Sequence, residues 1–271
     1  MQTGFRDLDS RTGGFSPGDL VVLGGESGAD RSAFALNVAL YVARHGEVAA
    51  IFDYATTTER VRQQLTSALT GVPLWAMLGG NVRREDWPKL FSSAHNPIWS
   101  RLTIEGSANV TVVQMRDRVR QLSEMQARHG DSHLSLVVAQ PSRLMGPATP
   151  VAEQLRRRQL ATNVIELKRL ARDLRVTVLL VGGLDHGFDE RRGHPPVLSD
   201  LEVPEIAESY ADHVLLLHPD ARSEGGPGDH GIAEIVVAKT RHGVTGKVRL
   251  SWDGDCSSFS SMPDLPASTN I

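Results

Sequence analysis

The chain has 271 residues and a net charge of −3, with 40% hydrophobic and 23% charged residues. This length allows one large domain or two small ones, and the composition is that of a globular protein rather than a disordered one. Cys256 is the single cysteine, which excludes an internal disulfide and any cysteine-based zinc site. The slightly acidic balance disfavours a globally basic nucleic-acid binder.

The N-terminus has no basic segment followed by an apolar one, so no signal peptide is visible. No stretch of about 18 apolar residues is long enough to span a membrane. A single thiol also fits a reducing compartment. We therefore expect a cytoplasmic protein with no membrane partner.

Apolar runs of strand length alternate with helical patterns over the first two thirds of the chain. The predicted strands in this part are residues 19–23, 48–52, 102–104, 134–139 and 176–181. The predicted helices are residues 31–44, 57–70, 85–93, 111–128 and 151–173. Three later strands follow without intervening helices, at residues 214–217, 233–238 and 246–251. This order predicts an α/β fold: a mostly parallel twisted sheet flanked by helices, with antiparallel closing strands.

No linker divides the chain, so we expect one domain over residues 1–262 and a disordered tail over residues 263–271. A glycine-containing loop, residues 24–30, joins the first predicted strand to the first long helix. A strand, a glycine loop and a helix in this order are the usual setting of a phosphate-binding loop. An ordinary strand–helix turn explains the pattern equally well.

Several short segments resemble the ATPase domain of DnaB-type replicative helicases. They are TGFRDLD (3–9), GGFSPGDL (13–20), RSAFALN (31–37), SDL (199–201), AD (211–212), KTRHG (239–243) and LSWDG (250–254). Each motif is loose, but their order and spacing are specific, and together they cover the chain from about residue 3 to about residue 260. The resemblance implies a RecA-like P-loop NTPase core.

The resemblance places the family's phosphate loop between the first strand and the first long helix. The loop residues are Gly25, Glu26, Ser27, Gly28, Ala29, Asp30, Arg31 and Ser32. A working loop needs a Lys on the β- and γ-phosphates, preceded by a glycine and followed by a Ser or Thr on magnesium.

Arg31 stands at the position of that Lys, Ser32 at the Ser/Thr position, and Asp30 at the position of the glycine. Asp30 adds a Cβ and a carboxylate where phosphate oxygens should lie, and Glu26 adds a second carboxylate. Like charges ~4 Å apart repel by about 1 kcal/mol in water and about 4 kcal/mol at an effective dielectric of 20. The loop therefore predicts weak nucleotide binding.

Three further positions depart from the family pattern. Ala55 replaces the general base, Gln140 the magnesium-holding Asp, and Gly183 the sensor Gln. Asp53 is a weak candidate for a substitute base, about 6–7 Å earlier along the strand. With Asp30, four roles are lost together, so we expect no catalytic residues and no required cofactor. Any nucleotide that binds is expected to be ATP or ADP with magnesium, held weakly.

Lys239 and Arg241 match the pair that reaches a neighbouring subunit's γ-phosphate in the family's ring. A basic pair in a solvated loop is the competing explanation. The chain starts at the beginning of the ATPase domain, without the linker helix that helps to close such rings. These two features predict a monomer or weak dimer rather than a stable hexamer.

The family binds single-stranded DNA through two central loops, which correspond to residues 144–158 and 186–194. The basic candidates in them are Arg156, Arg157, Arg158, Arg191 and Arg192. A solvated helix face explains the three consecutive arginines as well, and Phe188 stands alone where base stacking needs an aromatic cluster. Weak, salt-sensitive DNA binding is left open.

Together these features predict a non-hydrolysing binding or regulatory protein, linked to DNA replication or to a helicase-like partner. The alternative is a weak ATP-binding, DNA-translocating ATPase in which Arg31 and Ser32 still bind nucleotide. A third interpretation is a small regulatory module that has kept only the fold.

Overall fold

A computed structural model describes residues 1–25, 30–106, 111–129, 133–140, 150–185, 188, 194–219 and 230–263. Its helices are α1 (Arg6–Thr12), α2 (Arg31–Arg44), α3 (Thr58–Thr70), α4 (Leu74–Leu78), α5 (Trp87–Ala94), α6 (Val112–His129), α7 (Pro150–Leu174) and α8 (Pro204–Tyr210). Its strands are β1 (Leu20–Gly25), β2 (Val48–Asp53), β3 (Leu102–Glu105), β4 (Leu134–Gln140), β5 (Thr177–Val181), β6 (His213–Pro219), β7 (His230–Thr240), β8 (Gly246–Asp253) and β9 (Ser258–Ser261). Short 3-10 turns cover Pro97–Arg101 and Leu198–Asp200.

The strands of the described residues form one sheet in the order β3-β2-β4-β5-β1-β6-β7-β8-β9. The pairs from β3 to β6 are parallel, and the pairs from β6 to β9 are antiparallel. The predicted sheet is therefore confirmed. Below, the amino edge is the edge at which β1, β5 and β6 begin, and the carboxyl edge is the edge at which they end.

The central strands are apolar because both of their faces are covered. Every residue of β1 and of β2 is buried. Alternate side chains of β1 join different core clusters, with Val21 and Leu23 on one face and Leu20 and Val22 on the other. This two-sided burial is the expected property of parallel strands beneath crossover helices.

Local end signals set the bounds of α3 as the sequence predicts. The Thr57 side chain accepts a hydrogen bond from the Arg60 amide at the start of the helix. Gly71 ends the helix in the left-handed region at φ 68, and its amide donates to the Ser67 carbonyl. A residue with a Cβ is strained in that conformation, which explains why a glycine follows this helix.

Four elements were not predicted from the sequence: α1, α4, α8 and β9. The three helices have seven, five and seven residues, too few to show two turns of apolar periodicity. The predicted tail begins at residue 263, and residues 264–271 lie outside the described part of the chain. No helix of the described residues is both long enough and apolar enough to cross a membrane.

Candidate functional site

The Arg31 guanidinium is held at the carboxyl edge by the ends of two central strands. Its Nη1 donates to the Gly25 carbonyl oxygen at 2.6 Å and to the Gly182 carbonyl oxygen at 2.7 Å. A Cβ on Gly25 would lie 2.6 Å from the Leu217 carbonyl oxygen and 3.1 Å from Arg31 Cδ, so this position requires glycine. The arginine thus fills space directly beside the strand ends. The predicted loop residues Glu26, Ser27, Gly28 and Ala29 lie outside the described residues.

Ser32 and Gln140 meet at the same edge, as the resemblance implies. Gln140 ends β4 and Ser32 lies in the first turn of α2. Gln140 Nε2 donates a hydrogen bond to Ser32 Oγ at 2.6 Å. The amide therefore occupies an electron pair of the hydroxyl oxygen that a metal ion would need.

Asp53 closes the turn that follows β2. Its side chain is buried, and Oδ1 accepts hydrogen bonds from the amides of Ala55 at 2.8 Å and Thr56 at 3.2 Å. Burial raises the pKa of Asp53 despite those two bonds. Ala55 itself is exposed and has no group that can accept a proton. The geometry assigns Asp53 a turn-closing role.

Asp30 precedes α2, and its side chain makes no capping hydrogen bond. The residue remains exposed, yet neighbouring protein atoms desolvate the carboxyl group and raise its pKa. An anion that approaches the first turn of α2 therefore meets a carboxylate there. Gly183 lies beyond the end of β5, at the position to which the resemblance assigns the sensor Gln.

Lys239 and Arg241 lie at the amino edge, a strand length of ~20 Å from the phosphate loop of the same chain. Lys239 Nζ donates to the carbonyl oxygens of Glu208 and Ala211, and desolvation lowers its pKa. Arg241 Nε lies 3.1 Å from Asp212 Oδ1. Both cations thus contact their own chain.

Two of the three consecutive arginines of α7 form ion pairs within the chain. Arg156 Nη1 lies 2.8 Å from Glu202 Oε1, and Arg157 pairs with Asp185. Arg158 is exposed. The two other DNA candidates, Arg191 and Arg192, lie outside the described residues.

Phe188, the single aromatic residue in the two loops that correspond to the family's DNA-binding loops, is buried in the core. It is therefore not available for base stacking. This burial leaves charge contacts as the means by which the described residues of this region would bind DNA.

The sequence analysis missed a buried ionic cluster at the amino edge. Asp212 is fully buried, and its Oδ2 accepts hydrogen bonds from the Leu20 amide at 2.8 Å and from Lys168 Nζ at 2.5 Å. The nearest signal of this cluster in the sequence was Asp212, an acidic residue directly before strand β6. Lys168 is 44 residues away in the sequence, so no local pattern joins the two.

His213 extends this cluster. Its ring lies between Asp19 Oδ2 at 3.3 Å and Thr240 Oγ1 at 3.0 Å. Burial opposes the charged form of Asp19, but hydrogen bonds from His213 and the Ser16 amide outweigh it and lower the pKa of Asp19. Within the described ranges, no three His, Cys, Asp or Glu residues group as metal ligands.

Residues 1–261 match the model of the DnaB-like helicase C terminal domain. The chain belongs to this family. It is 31% identical over 266 residues to the replicative DNA helicase DnaB of Leifsonia xyli subsp. xyli, covering 98% of this chain and 56% of that protein. It is 28% identical over 260 residues to the replicative DNA helicase DnaC of Bacillus subtilis, covering 96% and 56%. The chain thus spans about half the length of the curated relatives it matches.

Solved structures confirm the predicted RecA-like fold of this DnaB-like domain. One of them, itself described as an ATPase domain, superposes with a TM-score of 0.81 at 24% identity, covering 96% of this chain and 90% of that one. A DnaB-like replicative helicase, described with its interactions with primase, superposes with a TM-score of 0.80 at 22% identity, covering 96% and 61%.

Proposed function

We propose that this DnaB-like domain does not hydrolyse ATP and acts as a binding or regulatory protein in DNA replication, in the cytoplasm. The hydrogen bond from Gln140 Nε2 to Ser32 Oγ is the observation that carries this proposal. The family resemblance assigns these two positions to magnesium binding, and here they bind each other.

The residues at this edge do not fit a magnesium–nucleotide complex. Magnesium prefers carboxylate and water oxygens in near-octahedral geometry. Gln140 presents an amide nitrogen to Ser32, and Asp53 Oδ1 already accepts two backbone amides. Nucleotide binding, where it occurs at all, would be weak and would use ATP or ADP with magnesium.

Water activation is the second requirement that this edge does not meet. Hydrolysis needs a group that accepts a proton from the attacking water. The methyl group of Ala55 cannot do so, and Asp53 is buried in the turn. The domain therefore serves best as a binding surface.

The alternative function is a weak ATP-binding, DNA-translocating ATPase. Arg31 and Ser32 favour it, because both lie at the start of α2, beside the end of β1. The similarity to replicative helicases also supports it.

A phosphate-release assay with ATP and magnesium separates these functions. We expect the purified protein to release phosphate no faster than a heat-treated blank, because both metal binding and water activation are impaired. Arg31→Ala is the matched control. Release that scales with protein concentration and disappears in this variant would contradict the proposal.

The proposed partner is a helicase-like or other replication protein. The named relatives are replicative helicases, and one structural relative is described with primase. Arg158 supports only weak, salt-sensitive contact with single-stranded DNA, since Arg156 and Arg157 are paired with acids. We retain residues 1–262 as one domain, because β9 still belongs to the sheet.

A further inference from the structure

An open, shallow pocket of about 520 Å³ lies at the amino edge of the sheet. We call it the amino-edge pocket. Its charged lining comprises Lys168, Arg172, Arg175, Arg241, His242 and Asp212, with Asp19 beside them. The residues come from α7, from the turn after it, and from the ends of β6 and β7, so the fold brings distant segments together here.

The acids on the floor of the pocket already have partners before any ligand binds. Lys168 Nζ donates to Asp212 Oδ2 at 2.5 Å and to the Gly18 carbonyl oxygen at 2.9 Å. Asp19 accepts a hydrogen bond from the Ser16 amide at 2.6 Å. The lining carries four Lys or Arg side chains against two acids, so a ligand meets an excess of positive charge.

The rim is cationic, and part of it is unpaired. Arg172, Arg175 and His242 are exposed. Within the described structure, none of their side chains has a hydrogen-bond or ion-pair partner. An arginine near a helix C-terminus, such as Arg172, is common because it complements the helix dipole. That explanation does not cover His242, which comes from the end of β7.

Arg175 stands where the backbone favours glycine. It follows the last residue of α7 with φ 53, in the left-handed region. Glycine is the usual residue there, because a side chain costs conformational energy. Arg175 therefore lines the amino-edge pocket from a backbone conformation that is costly for a residue with a side chain.

We propose that the amino-edge pocket binds a phosphate group, as inorganic phosphate or a phosphomonoester. Arginine guanidinium groups form paired, charge-assisted hydrogen bonds with phosphate oxygens, and two arginines without a partner among the described residues line the pocket. The ligand is held within one chain, without a neighbouring subunit. The pocket is a strand length from Ser32. A result that excludes phosphate binding in this pocket would therefore leave the proposed function untouched.

Asp212 provides selectivity for phosphate. Its Oδ1 is buried and accepts no hydrogen bond from a described residue, although Arg241 Nε lies 3.1 Å away. The Arg241 side chain is 55% exposed, and its outward rotation onto a ligand opens Oδ1 to the pocket. Inorganic phosphate near neutral pH keeps a hydroxyl that can donate to this oxygen, and a phosphomonoester keeps one only in its singly protonated form, whereas sulfate has only acceptors.

Calorimetry on the full chain at constant ionic strength tests the proposal, with inorganic phosphate, glycerol phosphate and sulfate as separate ligands. We expect phosphate to bind about tenfold or more tightly than sulfate, since one hydrogen bond to a charged group is at stake. The tighter of the two phosphate ligands shows whether the pocket prefers free phosphate or a phosphomonoester.

The double variant Arg172→Ala/Arg175→Ala locates the site. It should weaken phosphate binding about tenfold or more, because two charge-assisted contacts are lost. Arg169→Ala is the matched control: Arg169 is on the same helix, exposed, and paired with Glu166. Circular dichroism verifies that both variants are folded. A double variant that binds phosphate as tightly as the parent, or sulfate that binds as tightly as phosphate, would overturn the proposal.

Discussion

At the scale of single residues, a carboxamide at position 140 changes what the Ser32 oxygen can do. A carboxylate only accepts hydrogen bonds, so it leaves a serine hydroxyl free to donate to it and to bind a cation with its electron pairs. The Gln140 amide donates instead, and it does so at 2.6 Å. A carboxamide in place of a carboxylate therefore makes the Ser32 oxygen the acceptor of a neutral hydrogen bond.

Asp30 provides a prediction at the same scale. We expect Asp30→Gly to tighten ATP binding about tenfold, because removing a repulsion of about 1–4 kcal/mol corresponds to about fivefold to several hundredfold. Asp30→Asn is the matched variant, since it removes the charge but keeps the Cβ. Calorimetry measures both. A sub-micromolar Kd of the unmodified chain for ATP would contradict the expectation that this site binds nucleotide weakly.

Tyr54 provides a stability prediction. Its hydroxyl is buried without a hydrogen-bond partner among the described residues, and burial, together with the charge of Glu105, raises the pKa of Tyr54 to about 12. Tyr54→Phe should raise the free energy of unfolding by about 1 kcal/mol, because an unsatisfied polar group is removed without a change of shape. Tyr41→Phe serves as control, since its hydroxyl is exposed and bonded to Gln2. Urea unfolding that shows a loss of stability in Tyr54→Phe would refute this.

At the scale of elements, α7 is attached to the sheet by a buried ion pair as well as by apolar packing. Lys168 joins the helix to Asp212 at the start of β6, and its own side chain is only 14% exposed. The same acid accepts the Leu20 amide at the start of β1. One carboxylate therefore connects a helix and two strands.

Lys168→Ala tests this connection. We expect a loss of about 3–5 kcal/mol in the free energy of unfolding, because the variant leaves Asp212 charged and buried without its main partner. Arg169→Ala, on the exposed side of the same helix, should cost less than about 1 kcal/mol. Chemical denaturation of both variants measures the difference. Equal losses of unfolding free energy in the two variants would show that the buried ion pair adds nothing to stability.

At the scale of the whole molecule, the prediction for the state of assembly rests on contacts within this chain. Lys239, which the family resemblance assigns with Arg241 to a neighbour's phosphate, donates to the carbonyl oxygens of Glu208 and Ala211 of its own chain. We therefore predict a monomer or weak dimer at micromolar concentration. Sedimentation velocity should detect a species near 29.5 kDa. A stable hexamer in the absence of nucleotide would end this prediction.

The elements that could be predicted from the sequence are those whose signals lie in consecutive residues. Strands β1 and β2 are continuous apolar runs, and α3 has a threonine before it and a glycine after it. The position of the phosphate loop, and its departures at Asp30, Ala55 and Gln140, stay predictions that rest on the family resemblance. These are properties of single positions, which tertiary contacts do not alter.

Only the tertiary structure decided what those positions contact. The sequence determined that an amide stands at residue 140, but the pairing of β4 with its neighbours and the start of α2 decided that this amide meets Ser32. Likewise, the arginines of α7 and the end of β7 are ordinary surface cations when considered separately. They form a pocket because the amino edge gathers segments that are remote in the chain. Local propensity acts over a few residues, whereas a site is made by chain segments that meet only when the sheet has formed.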